Sequence, residues 1–337
     1  MVTRGEIVES SHLGALAVVD NRGALLAAAG NPKYVTYLRS SAKPFQALPT
    51  VASGALDHYD LDQEALAIMC ASHHGTETHV AAVQDILDAI GLNQSFLRCG
   101  THWPIDQEAH RRLAAAGQEA DARHNNCSGK HAGMLTLARF WASQDLDYTG
   151  LDHPVQRAIL ARFSEMASYP MAAIITASDG CSLPTFAVPL ANAALAFARL
   201  SAPDAPPECR RVVSAMQAYP HLVSNHGALD DQLMQAGKGA IVCKGGAEGY
   251  QGIAIKAGND RSLGIALKVA DGNPRALGAV IVSLLESLDL VDAGTMQRLQ
   301  PLRNPPVKNH RGTTVGEIRA AMSVDRFDPP LPQEAWL

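Results

Sequence analysis

The distribution of two periodicities along the chain restricts its fold more than any other feature. Short apolar runs bounded by turn residues lie near both ends, whereas the long middle repeats at helical spacing. Residues 14–20 and 24–28 flank Asn21-Arg22-Gly23, a turn signal that predicts a hairpin. Residues 240–242, 252–255 and 263–269 are apolar runs separated by glycine-rich or Asn-Asp turns, which predicts adjacent antiparallel strands. Between them, residues 63–69, 79–90, 108–116, 130–143, 154–166, 191–199 and 209–219 carry alanine-rich, amphipathic or buried-helix patterns. Further helices are predicted at 40–53, with Pro44 near the start, and at 274–288. The fold class that follows is α/β: an antiparallel sheet built from both ends of the chain, covered by helices, with a large helical insertion. The expected organisation is one catalytic unit over 1–337, with a discontinuous α/β part at 1–58 and 237–337 and a mainly helical part at 59–236. The proline-rich stretch after Gln300 gives no assignment.

A chain of 337 residues, 47% hydrophobic, can bury a substantial core without staples. Lysine plus arginine number 28 against 33 for aspartate plus glutamate, without long runs of one sign, so nothing calls for nucleic acid or an anionic membrane as partner. Six scattered cysteines without a CxxC pair read as reduced thiols of a cytoplasmic protein. Residues 1–12 contain Glu6 and Glu9 and lack the apolar run of a secretory signal, and no apolar stretch approaches the roughly 20 residues of a membrane span.

Ser40 and Lys43 stand at i and i+3, neighbouring positions on one helical face, where an amine can take a hydroxyl proton. A helix N-terminus and burial both oppose a positive charge, which suits an amine acting as base. The same pair also reads as a helix cap followed by a solvated lysine. Three other segments gather reactive groups in glycine-bearing loops: Ala71-Ser72-His73-His74-Gly75-Thr76-Glu77, His124-Asn125-Asn126-Cys127-Ser128-Gly129-Lys130-His131, and Ser178-Asp179-Gly180-Cys181-Ser182-Leu183-Pro184-Thr185. The second precedes a helix and suits a carboxylate. Singly, each also serves as capping and turn chemistry; together they point to a site. Gly129-Lys130 lacks the preceding glycine and following Ser or Thr of a phosphate loop, since His124 and His131 stand there. Lys244-Gly245-Gly246 opens a strand instead of a helix, so it is no dinucleotide loop, but it can present an amine at a strand edge. Cys127, Cys181, His73, His74, His79 and His131 show no zinc-ligand spacing of the usual kind.

The runs RSSAKPFQALP, CASHHGTETHV, NNCSGKHAGML, SDGCSLPTFAVPL and KGGAEG, with the opening RGEIVESSH, resemble the rhizobial-type, or class 3, L-asparaginase family. The resemblance extends from about residue 4 to the GTTVGEIR segment near the end. It implies hydrolysis of L-asparagine to L-aspartate and ammonia, a fold similar to glutaminases and serine β-lactamases, and a homodimer. Carried over residue by residue, it implies two Ser-Lys tandems built from Ser40, Lys43, Ser72 and Lys244 facing one pocket. It also implies zinc held by Cys127, Lys130 and Cys181 beside the substrate, though not essential to the chemistry. Asp179 suits the substrate's α-ammonium group, with Cys181 beside it, and Arg39 would hold neighbouring polar groups.

Amide hydrolysis needs a nucleophile, a base that turns acid, and fixed N–H donors for the oxyanion. Ser40 or Ser72 would attack, with Lys43 accepting and returning the proton and Lys244 tuning the other serine; spacing favours Ser40. The competing readings are a glutaminase or another Ser-Lys acyl enzyme, such as a penicillin-recognising protein, and a non-catalytic amino-acid sensor.

Overall fold

Asn21, Arg22 and Gly23 turn the chain between strands Gly14–Asp20 and Leu25–Ala29, which pair antiparallel, in the computed structural model, which describes residues 1–336. Gly23 adopts φ +92°, and the Asp20 carboxylate closes the turn by accepting from the N–H groups of Arg22 at 3.0 Å and Ala24 at 2.8 Å. Strand Ser262–Val269 pairs with the free edge of Gly14–Asp20, so the two ends of the chain share one sheet, as their apolar runs predict. Its order is Asp325–Leu331, Leu25–Ala29, Gly14–Asp20, Ser262–Val269, Tyr250–Lys256, Ile241–Gly246, with every neighbour antiparallel. The outermost strand Asp325–Leu331 contains Pro329 and Pro330, which suits an edge, where missing N–H groups leave no ladder bond unmade.

The chain forms two compact units, one of Met1–Ser41, Val188–Asp204 and Gln232–Leu337, the other of Ala42–Ala187 and Ala205–Asp231. Residues 42–58, 188–204 and 232–236 therefore fall on the opposite sides of the division from those the sequence suggests, the first two segments for reasons visible in the packing. Helix Leu190–Leu200 lies on the sheet against strands Gly14–Asp20, Tyr250–Lys256 and Ser262–Val269. Gly264 and Gly252 permit that approach: a Cβ on Gly264 would lie 1.8 Å from the Ala194 carbonyl oxygen, and one on Gly252 would lie 2.0 Å from the Phe197 ring. Helix Lys43–Ala52 is buried along nearly its whole length and packs on helices Ser128–Phe140, Pro154–Ala167 and Pro207–Ala218 of its own unit.

The second unit is mainly helical, and two glycines set its loops close together. Helix Ser128–Phe140 crosses helix Gln63–Met69 so tightly that a Cβ on Gly129 would lie 2.1 Å from the Ile68 carbonyl oxygen. Gly75, at φ +74°, leaves 2.9 Å between a hypothetical Cβ and the His124 carbonyl oxygen. The chain after Met69 and the chain before Ser128 are thereby brought side by side. Strands Ile175–Ser178 and Pro184–Pro189 form a hairpin that helical periodicity does not announce. Among the described residues no helix is long and apolar enough to cross a membrane, and no disulfide joins the cysteines, all of them buried.

Candidate active site

Lys43 begins its helix directly after the 3₁₀ turn Arg39–Ala42, with Pro44 in the first turn where its missing N–H leaves no bond unmade. Its side chain is fully buried and runs to the place where the two loops converge. There Nζ donates to the carbonyl oxygens of Ala71 and, at 3.2 Å, Asn126, and lies 3.0 Å from Ser72 Oγ. Two carbonyls taking N–H bonds leave a neutral amine its lone pair for the serine hydroxyl, the arrangement a base needs. Ser72 is half-buried and its own N–H is tied to the Val223 carbonyl at 2.8 Å.

The neighbouring imidazoles are neutral supports. His73 Nδ1 accepts from the Gly75 N–H at 3.1 Å, so Nε2 carries the proton and donates to Ser128 Oγ at 2.8 Å, whose hydroxyl donates onward to the Arg123 carbonyl. Burial, with smaller help from surrounding cationic groups, holds His73 well below the ordinary imidazole range. His79 stacks on it at 5.1 Å, caps its own helix with Thr76, and bonds the His221 carbonyl at 3.1 Å. Burial pushes the His79 pKa down to about 4, although that carbonyl acts in the opposite direction. An unfolded histidine protonates near 6.5, so His79 contributes stability that is complete above that pH and is lost as pH falls through about 4. The loss should reach about 3 kcal/mol. Thermal midpoints measured from pH 7 down to pH 4 should fall across this window, less steeply in His79→Gln; equal slopes would remove His79 as the cause.

Cys127 stands directly before helix Ser128–Phe140 without a side-chain bond to it, and Cys181 sits in the hairpin turn whose shape is set by Asp179 N–H on the Leu183 carbonyl at 2.8 Å and Ser182 at φ +70°. Lys130 Nζ donates to Cys181 Sγ at 3.0 Å. The bond from Cys181 holds the Cys127 thiol well below its ordinary value despite burial, helped by Lys130 and, less, by Lys43; Cys181, the donor, is correspondingly raised. Burial opposes the charge on Lys130, but the two cysteines and Asp179 outweigh it and keep its pKa above the usual value. Among the described residues no three His, Cys, Asp or Glu side chains gather as metal ligands. Two sulfurs and one amine do meet here: thiolates are usual donors to a tetrahedral zinc, and the Lys130 amine could join them only after losing a proton that its surroundings favour keeping.

In the sheet unit, Ser40 is half-buried in the turn Arg39–Ala42, with Arg39 at φ +52°. That turn lies against the strand bearing Lys244: Ser41 Oγ donates to the Lys244 carbonyl at 2.7 Å, and a Cβ on Gly246 would lie 2.3 Å from the Leu38 carbonyl oxygen. Lys244 is buried and its Nζ donates to the Gly245 carbonyl at 2.8 Å. The structure thus brings Lys43 to Ser72 and Lys130 to the cysteine pair, and seats the Ser40 turn beside the Lys244 strand. The sequence marks Asn126 as part of a polar loop but not for its carbonyl, and it does not single out His102. The Asn126 carbonyl is a backbone group without a residue signature, and His102 lies in a loop with no periodicity.

A family model described as L-asparaginase II matches residues 1–320 of this chain. No curated protein matches it. Among solved structures, Mglu in its tris and glutamate form is similar over 82% of this chain at 15% identity, with a TM-score of 0.44, and 59% of its own chain is covered. Mglu in its native form is similar over 83%, at 15% identity and a TM-score of 0.36, with 65% of its chain covered. The chain therefore spans less than two thirds of the length of either structure.

Proposed function

The chain belongs to the L-asparaginase II family, and from that premise we propose that it is an amidohydrolase that converts L-asparagine to L-aspartate and ammonia. The observation that carries the chemistry is the 3.0 Å approach of Lys43 Nζ to Ser72 Oγ, with the amine's N–H bonds directed at the Ala71 and Asn126 carbonyls. Ser72 attacks the side-chain amide carbon as its proton passes to Lys43. The C–N bond then breaks as the Lys43 ammonium returns that proton to the departing ammonia, leaving an acyl-serine ester. Water, losing a proton to Lys43, attacks the ester; L-aspartate departs, and the proton returns to Ser72.

Spacing favours Ser40 as nucleophile, whereas this contact favours Ser72. Ser40 and Lys244 enter the same proposal as the second Ser-Lys set, in which Lys244 tunes the serine that does not attack. Asp179 is assigned to the substrate's α-ammonium group and Arg39 to its polar surroundings. Cys127, Lys130 and Cys181 would hold zinc, which when bound supplies a fixed positive charge beside the substrate. The same resemblance supports a serine β-lactamase and glutaminase type of fold and a cytoplasmic homodimer.

Ammonia release from L-asparagine, L-glutamine and no substrate, with and without a chelator, tests the reading. Release from asparagine well above glutamine is expected, and chelation should raise KM more than it lowers kcat. Faster release from glutamine would make the protein a glutaminase. Opening of a chromogenic β-lactam without ammonia release would make it a penicillin-recognising acyl enzyme. Asparagine binding without turnover would leave a sensor.

A further inference from the structure

We propose that His102 is a positioning residue for the Lys43 amine, acting through the backbone of Asn126; this rests on Lys43 being the base of the proposed reaction. The Asn126 carbonyl that receives Lys43 Nζ belongs to a short stretch between the 3₁₀ turn Ala122–His124 and helix Ser128–Phe140. The Ser128 N–H of that helix donates to the Asn125 carbonyl at 2.9 Å, and side chains and carbonyls of the loop 99–103 supply the other bonds that set the stretch. The Asn126 N–H donates to His102 Nε2 at 2.9 Å, and His102 Nδ1–H donates to the Trp103 carbonyl at 2.7 Å, which sets the tautomer that leaves Nε2 an acceptor.

The next peptide is held from the same loop. Asn125 Oδ1 accepts from the Cys127 N–H at 2.9 Å while Asn125 Nδ2 donates to the Cys99 carbonyl at 2.9 Å. The Cys127 N–H and the Asn126 carbonyl are two ends of one planar peptide unit, so a bond at one end aims the other. His102 holds the peptide before Asn126 and Asn125 holds the peptide after it, which pins both backbone dihedrals of the intervening residue. Without the His102 acceptor, the Asn126 N–H is left unpaired and the preceding peptide is held only through the Asn125 carbonyl, which accepts from the Ser128 N–H at 2.9 Å. The loosened dihedrals of Asn126 then let its carbonyl drift from the amine.

His102 acts on Lys43 through the Asn126 backbone, so its removal should slow the chemical step more than substrate binding. Misplacing a reacting group by a fraction of an ångström to an ångström lowers turnover by about 10- to 100-fold. The test compares His102→Phe and His102→Gln with the unaltered protein in ammonia release from L-asparagine, with thermal midpoints measured alongside. Glutamine places Oε1 near the position of the imidazole Nε2 and can accept from the Asn126 N–H; phenylalanine cannot. His102→Phe should lose about 10- to 100-fold in kcat with KM within about two-fold, and His102→Gln should recover most of it. If His102→Phe does not fold, His102→Asn, polar but too short to reach Asn126, takes its place with the same expectation. A phenylalanine or asparagine variant with unaltered kcat, or a glutamine variant as slow as either, overturns the proposal. Lys43→Ala measured in parallel separates the two readings: normal turnover there would remove Lys43 as base, whereas loss of turnover there with an unaffected His102→Phe would remove only the role of His102.

Discussion

Ser72→Ala is expected to lose about 10⁴-fold or more in turnover while keeping the thermal midpoint of the unaltered protein. The side chain is small and half-buried, and the backbone bond from its N–H to the Val223 carbonyl survives the substitution. Lys43→Ala should be comparably inactive, because general-base catalysis alone is worth about 10²- to 10⁴-fold and the leaving ammonia loses its proton donor as well. It should also be less stable. Nζ is a donor to the Ala71 and Asn126 carbonyls in a buried setting, and leaving such acceptors unsatisfied costs about 1–3 kcal/mol each. The pair of variants therefore separates chemistry from folding: both should be inactive, and only the lysine variant should unfold earlier. Ser40→Ala decides between the two serines. Burst kinetics and mass spectrometry of protein quenched with L-asparagine should place the acyl adduct on Ser72. An adduct on Ser40 with Ser72→Ala still able to form it would reverse the assignment and make Lys43 the partner of its helical neighbour.

The sheet was legible in the sequence because its strands are apolar runs punctuated by turns whose chemistry is local. Asn21-Arg22-Gly23 needs only Gly23 at φ +92° and the Asp20 carboxylate to close. The strand Asp325–Leu331 was not, since its prolines argue against a strand until its edge position is known. The helices that the sequence predicts lie within a few residues of those observed, and helix Gln63–Met69 matches at both ends, because Asp62 caps it by accepting from the Ala65 N–H at 3.0 Å. The sequence does not pick out helices Leu229–Gly237 and Ala293–Arg303. The residue types of the candidate site were legible as clusters. Their pairing was not. Helical spacing sets Ser40 beside Lys43, but residues 39–42 form a 3₁₀ turn before the α-helix starts, and the described bond of Lys43 goes to Ser72, which lies 29 positions away in sequence. That contact depends on the backbone crossing at Gly129 and Ile68, a tertiary event that no local pattern encodes. The same holds for Cys127, Lys130 and Cys181, which meet only because the hairpin turn at 179–183 returns to the helix N-terminus.

Gly264→Ala is expected to destabilise the sheet unit by about 3 kcal/mol or more, the upper range for overpacking, because the atoms in the way are backbone. The added methyl would lie 1.8 Å from the Ala194 carbonyl oxygen and 2.5 Å from the Ala198 nitrogen, both in helix Leu190–Leu200, and neither can rotate aside. Relief requires lifting the helix from the sheet, which exposes Leu195, Phe197 and the apolar strand faces beneath. Gly252→Ala meets the Phe197 ring at 2.0 Å, a side chain with some freedom to tilt, so its cost should be smaller. Gly278→Ala, in helix Leu277–Ser287 with its nearest neighbour at 3.6 Å, meets only ordinary contact and should gain about 0.5–1 kcal/mol from the helix propensity of alanine. Urea denaturation of the three variants should therefore rank them Gly278→Ala above the unaltered protein, then Gly252→Ala, then Gly264→Ala. A Gly264→Ala protein as stable as Gly278→Ala would mean that the helix does not rest on the sheet backbone as described. The ranking also bears on the site: strand Ser262–Val269 joins the hairpin at the start of the chain to the strands that carry Lys244. A helix displaced at Gly264 should accordingly lower activity in step with stability, unlike Ser72→Ala, which should lower activity alone.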